Sequence, residues 1–156
     1  MIKPPKLVIF DYDMTLQPCK IGLSLDTKRR DILKYFKENG VPLALATLNP
    51  WAPIWLQLDV NLISYFTYIQ SPTIDQYEHN TMPRRKYSML QSIIMQSGVN
   101  PIDALYFDDN IVNIYDARRL GIKSHLVSPR LGVTWTDIHD GIRMFLPFYK
   151  SPSTLL

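Results

Sequence analysis

LVIFDYDMTL, residues 7–16, places four apolar residues directly before Asp11 and Asp13. A continuous apolar run of this length marks a strand buried on both faces of a parallel sheet. Carboxylates at its end need a reason to crowd together, because like charges at a sheet edge repel. The same arrangement returns in residues 104–110, ALYFDDN, where Asp108 and Asp109 close a second apolar run. If the two strands are neighbours, four carboxylates meet at one edge, the edge where open α/β sheets bind their ligands. A divalent cation supplies the missing counter-charge, and an oxygen-rich, water-retaining set suits magnesium. An EF-hand loop is a poor alternative for the first pair. Counted from Asp11, its sixth position is Leu16 where glycine is needed, and its twelfth is Gly22 where glutamate is needed.

Outward from these strands, short apolar runs alternate with helical patterns, the signature of βαβ units. The spacing predicts a helix from Thr27, capped by Asp26, with Ile32, Leu33 and Phe36 on one face and Gly40 as its stop. A second strand is expected over residues 41–46. Asn49-Pro50 reads as the N-cap and first residue of a short helix through Leu58 that carries Trp51 and Trp55. Residues 62–69 read as a third strand and 70–81 as a polar loop with no assigned role. The pattern continues with a helix over 83–97, a strand over 104–107, a helix over 110–120 and a strand over 123–127. Thr136 is expected to cap a last helix to Phe145, and residues 147–156 read as a frayed tail. The expected architecture is one α/β domain, a three-layer α/β/α sandwich on a mainly parallel sheet.

Composition agrees with this reading. The chain has 156 residues, 46% of them apolar, enough for one ordinary core and too few for two large domains. Its net charge of +3 suits anionic partners but is no nucleic-acid signature. A single cysteine, Cys19, excludes an internal disulfide framework, and no apolar run reaches the length of a signal peptide or membrane span. The expected location is cytoplasmic.

Two more residues stand where strands give way to loops. Thr47 ends LALAT, and Lys86 opens a helical pattern in MPRRKYSML, with Arg84 and Arg85 beside it as alternatives. A hydroxyl and an ammonium facing carboxylates and a metal make a phosphate pocket, the cation charges neutralising phosphoryl oxygens and the hydroxyl fixing orientation. Asp109 and Asn110 also fit the N-cap of the following helix. Other chemistries test poorly. Cys19 is followed six positions later by Leu25 where a cysteine phosphatase needs arginine, and His79, His125 and His139 lack ligand spacing and read as surface or loop residues. The basic runs at residues 28–30, 84–85 and 118–119 read as solvated helix faces.

The ordered set resembles the haloacid dehalogenase superfamily of aspartate-nucleophile phosphohydrolases. Asp11-x-Asp13-x-Thr15 is similar to its first motif, Thr47 to its second, Lys86 to its third and Asp108-Asp109 to its fourth. YFDDNIVNIYDARRLGI, residues 106–122, resembles the small magnesium-dependent phosphatase subgroup, apart from Asn110 where that subgroup has an acid. The resemblance covers roughly residues 6–145. It implies that Asp11 is the nucleophile and Asp13 the general acid and base, with Thr47, Lys86 and Thr15 around the substrate phosphate. Magnesium would be bound by Asp11, the Asp13 backbone carbonyl and Asp108, with Asp109 holding a water of its shell. Only 33 residues separate Asp13 from Thr47 and 38 separate Thr47 from Lys86, too few for the cap domains of larger members. An open site of this kind would accept a phosphoprotein, phosphotyrosine included, or a sugar phosphate. The competing readings are a non-catalytic phosphate-binding or interaction module of the same fold, and a nucleic-acid end phosphatase.

Overall fold

Every residue of strand β1 (Leu7–Phe10) is buried, as an apolar run without alternation demands of a central strand covered on both faces. The computed structural model describes residues 3–18 and 24–147; Cys19 and the tail expected beyond Pro147 fall outside them. Strands β2 (Leu43–Ala46), β3 (Phe66–Gln70), β4 (Ala104–Asp108) and β5 (Lys123–Leu126) join β1 in the order β3-β2-β1-β4-β5, with every pairing parallel. The chain builds outward from β1 through β2 to β3, then returns to lay β4 against the other side of β1. The crevice between the ends of β1 and β4 is therefore the switch point at which such sheets take ligands.

The pleat divides the apolar residues between two layers. Val8, Phe10, Leu45 and Phe107 face Ile32, Leu33 and Phe36 of α1 (Thr27–Glu38) and Ile138 of α6 (Trp135–Arg143). Leu7, Ile9, Ala46 and Tyr106 face Leu90 and Ile93 of α4 (Tyr87–Ser97) and Ile114 and Ala117 of α5 (Ile111–Arg119). The three-layer sandwich is thus built from alternate residues of the same short strands. No described helix is long and apolar enough to cross a membrane.

Several boundaries differ from expectation, each for a local reason. Asn49 does not cap α2 (Ala52–Leu58). Its side chain accepts from Trp51 N at 2.9 Å, closing a turn that moves the helix start to Ala52. The first half of the expected third strand is a 3-10 turn, Leu62–Tyr65, entered through Val60 and Asn61 at positive φ. The expected 70–81 loop contains a short helix, α3 (Ile74–Glu78), started by a capping box between Thr73 and Gln76. Helix α4 begins at Tyr87 instead of Pro83, and the side chains of the two residues before it reach partners on other elements. Thr134, not Thr136, caps α6 through a box with Asp137. Strands β2 and β5 are shorter than expected by two residues and one residue.

The basic runs are not simply solvated faces. Arg29 is buried and bonded to Asp26 and the Leu131 carbonyl, Arg30 pairs with Asp59, and Arg85 with the fully buried Asp116. His125 is likewise no loop residue. It lies on β5, half-buried, 2.8 Å from Asp137; burial raises the Asp137 carboxyl, but the contacts from His125 and Thr134 together hold it below the usual range.

Candidate active site

Register places the acids. Phe10 is paired with Phe107, so Asp11 and Asp108 leave adjacent strands side by side, and Asp11 N donates to the Phe107 carbonyl at 3.1 Å. Oxygens of Asp11, Asp108 and Asp109 lie within 4.8 Å of one another. The chain then turns tightly after β1, with Met14 at φ +60° and Leu16 N returning to the Tyr12 carbonyl. That turn brings the Thr15 hydroxyl back to Asp11 Oδ2 at 3.1 Å.

Of the three neighbouring cations in the sequence, Lys86 is the one that reaches the acids. Its ammonium, buried, donates to Asp11 Oδ1 at 2.5 Å and to Asp108 Oδ2 at 2.9 Å, while Arg85 is committed to Asp116. Asp108 Oδ2 also accepts from the Tyr106 hydroxyl and from Asn113 Nδ2, and its Oδ1 accepts from Asn110 N. A carboxylate so supported stays in one orientation. Asn110 caps α5 through Val112 N, which leaves Asp109 to the acidic cluster.

Thr47 is fully buried at the end of β2, held through its N–H by the Gln70 carbonyl, and its Oγ1 accepts from Asn49 N at 3.0 Å. Asn49 Nδ2 donates to Asp13 Oδ1 at 3.3 Å. Asp13 is therefore set apart from the three-carboxylate cluster. Its side chain lines a cavity of about 570 Å³ whose other walls include Tyr12, Met14, Trp51, Trp55 and Tyr77.

The cluster carries excess negative charge. With all groups ionised, Asp11, Asp108 and Asp109 carry three negative charges against the one positive charge of Lys86. Burial, reinforced by the neighbouring Asp108 charge and opposed by Lys86, pushes the Asp11 carboxyl well above the usual carboxylate range. Burial raises Asp109 as well. The Lys86 ammonium is pulled down by burial but held above its ordinary value by Asp11 and Asp108. A donor set of carboxylate oxygens, two residues buried and Asp109 half-buried, with two uncompensated negative charges when ionised fits a divalent cation.

A family model described as acid phosphatase matches residues 22–146. The chain belongs to this acid phosphatase family. It is a phosphatase, and Thr47, Lys86 and Asp108 lie within the matched span while Asp11 and Asp13 precede it. No curated protein matches the chain. Solved structures share the haloacid dehalogenase fold. A putative phosphatase from Clostridium difficile superposes with a TM-score of 0.69 at 18% identity, covering 89% of this chain and 92% of that one. A haloacid dehalogenase-superfamily hydrolase from Ehrlichia chaffeensis gives 0.64 at 14% identity, covering 93% and 99%. A haloacid dehalogenase-like hydrolase from Streptococcus pneumoniae gives 0.64 at 13%, covering 87% and 90%.

In this acid phosphatase fold several supporting residues escape the sequence reading. Tyr106 sits two positions before Asp108 on the same strand face, and burial with the Asp108 charge raises its hydroxyl well above 10, so it remains a donor. Asn113 lies one turn into α5, five residues after Asp108. The spacing of both from Asp108 was a usable signal. Asn49 carried a different one, read as a cap, and its place beside Asp13 depends on contact between β2 and the turn after β1.

Proposed function

We propose that the chain is a magnesium-dependent phosphomonoesterase acting through an aspartyl-phosphate on Asp11. The observation that carries this reading is the convergence of Asp11, Asp108 and Asp109 around Lys86 at the switch point of the sheet. Magnesium would be held by Asp11, the Asp13 backbone carbonyl and Asp108, with Asp109 holding a water of its shell, and when bound it supplies charge neutralisation at the phosphoryl oxygens. Lys86 and the Thr47 hydroxyl bind those oxygens, and Thr15 orients the Asp11 carboxylate.

An Asp11 oxygen attacks phosphorus in line as the ester P–O bond breaks. Asp13 gives its proton to the departing oxygen. It then takes a proton from the water that attacks the acyl phosphate, the P–O bond to Asp11 breaks, and inorganic phosphate leaves with the Asp11 carboxylate restored. Asp13 suits the task by position: it is half-buried, separate from the acidic cluster, and faces the cavity where a leaving group would sit.

The spacing between the motifs supports a site without a cap domain, open to a phosphoprotein side chain such as phosphotyrosine or to a sugar phosphate, and the single cysteine favours a cytoplasmic enzyme. The test is phosphate release from an aryl phosphate with and without magnesium, for the native chain and Asp11→Asn. Metal-dependent release that Asp11→Asn abolishes is expected, together with a protein-bound phosphate on the native chain that hydroxylamine removes. Equal activity in Asp11→Asn overturns the nucleophile, and release in a chelator equal to that in magnesium overturns the metal.

A further inference from the structure

The cavity beside Asp13 is walled by rings that the phosphate-handling residues do not use. Trp51 and Tyr77 meet edge to face with centroids 4.6 Å apart, and Tyr12 packs on Trp55 at 6.0 Å. Tyr77 comes from α3, inside the 70–81 segment for which the sequence assigned no role, and it keeps about half its surface exposed (51%) while its ring stands on Trp51. Met14, on the turn after β1, adds a polarisable wall.

Two polar side chains around this cavity are already engaged, while the buried Tyr12 hydroxyl has no hydrogen-bond partner among the described residues. Asn49 spends its side-chain amide on Asp13 and its carbonyl on Trp51 N, and Gln17 Nε2 donates to the Ser24 carbonyl at 3.0 Å. Among the described residues no lysine or arginine lines it. A hydroxyl-rich leaving group entering here would give up the water on several hydroxyls for few free partners, the Tyr12 hydroxyl among them, whereas a flat ring meets aromatic faces and edges. The volume, about 570 Å³, is ample for one such ring and adjoining atoms.

We infer that this cavity is a leaving-group site for phosphomonoesters of phenolic alcohols, with Trp51 and Tyr77 as its specificity-determining residues. The inference rests on the reading of Asp13 as the group that faces the departing oxygen, and it selects the aromatic substrate class over the sugar phosphates. The phenolic ester has two sources, a free aryl phosphate and a phosphotyrosine side chain in a polypeptide, and the cavity recognises the ring common to both.

Binding is measured first, by calorimetry in magnesium with phenylphosphonate and methylphosphonate, neither of which can be hydrolysed. Phenylphosphonate should bind the native chain about tenfold more tightly, a ratio expected of one or two ring contacts. Trp51→Ala and Tyr77→Ala should remove that preference while methylphosphonate affinity stays within about twofold, and Trp51→Phe, which keeps a ring, should retain most of it. Turnover of free phosphotyrosine, a phosphotyrosine peptide and glucose 6-phosphate then compares each variant with the native chain, which cancels intrinsic leaving-group reactivity. A fall in kcat/KM confined to the aromatic esters supports the site, and the ratio of peptide to free amino acid identifies its source. Equal binding of the two phosphonates, or an equal fall for the sugar phosphate, overturns the inference. Aryl preference in binding without Asp11-dependent turnover would instead overturn the nucleophile and leave the pocket standing; Asp11-dependent turnover without ring preference would do the reverse.

Discussion

The Lys86 ammonium lies 2.5 Å from the Asp11 carboxylate, 75 residues away in the chain, and both groups are buried. Lys86 reaches Asp108 at the same time, so one cation holds together the ends of β1 and β4. Removing one partner of a buried ion pair leaves its charge stranded, typically at a cost of about 3–5 kcal/mol. Lys86→Met should therefore lower the metal-free unfolding free energy by about 3 kcal/mol and abolish turnover. Urea melts with and without magnesium check this: the deficit should shrink in magnesium, whose charge relieves the same carboxylates. A variant as stable as the native chain in chelator would show that Lys86 does not neutralise the cluster.

Asp11 carries the opposite expectation. Its carboxyl is raised by burial, so the folded chain holds that proton more tightly than the unfolded chain does. The resulting stabilisation is present at low pH and is lost as pH rises from the ordinary carboxylate value, about 4, through the raised one. In chelator, Asp11→Asn should therefore gain on the native chain in thermal stability as pH rises, melting at or above it near neutrality. The same substitution removes activity, a trade of stability for function expected of a nucleophile. Parallel melting curves across pH for the two proteins would contradict the raised carboxyl.

Much of this was legible in the sequence because the decisive residues sit on unalternating strands. LVIF and ALYF could only be central strands, and two central strands ending in paired acids point to one edge. The resemblance assigns Lys86, but the residues alone leave Arg84 and Arg85 as alternatives, since the choice depends on contacts with Asp11, Asp108 and Asp116 on other elements. Asn49 misled for a related reason. An asparagine before proline fits an N-cap, but here its side chain closes a turn onto Trp51 and reaches Asp13, a contact made only once β2 lies beside β1. The capping box of α3 was present in the sequence as Thr73 and Gln76, and was hidden by the polar, proline-containing residues around it.

Asn49 links the proposed proton donor to the wall of the leaving-group cavity. Its amide holds Asp13 Oδ1 and its carbonyl holds the Trp51 backbone. Asn49→Ala frees the Asp13 carboxyl to rotate, which matters most when the departing oxygen needs a proton. Across phosphomonoesters of graded leaving-group basicity, the variant should lose about tenfold in kcat/KM for alkyl esters and little for nitrophenyl esters. A uniform loss over the series would place the role of Asn49 in folding instead of proton delivery.

Two glycines separate damage to the fold from damage to the site. A Cβ on Gly141 would stand 2.8 Å from Phe107 Cζ, inside the layer between α6 and the sheet. A Cβ on Gly132, at φ +67°, would stand 2.7 Å from the Thr15 carbonyl, which Val133 N holds at 2.8 Å. Alanine at either position should destabilise the fold by about 2 kcal/mol, through overpacking at 141 and through strain plus collision at 132. Only Gly132→Ala presses on the turn that aims the Thr15 hydroxyl at Asp11. Assayed well below both melting temperatures, Gly132→Ala should lose kcat while Gly141→Ala keeps it. Loss of kcat in both would mean that the site is sensitive to any loosening of the sheet, and loss in neither would mean that the Thr15 contact does not set the reactivity of Asp11.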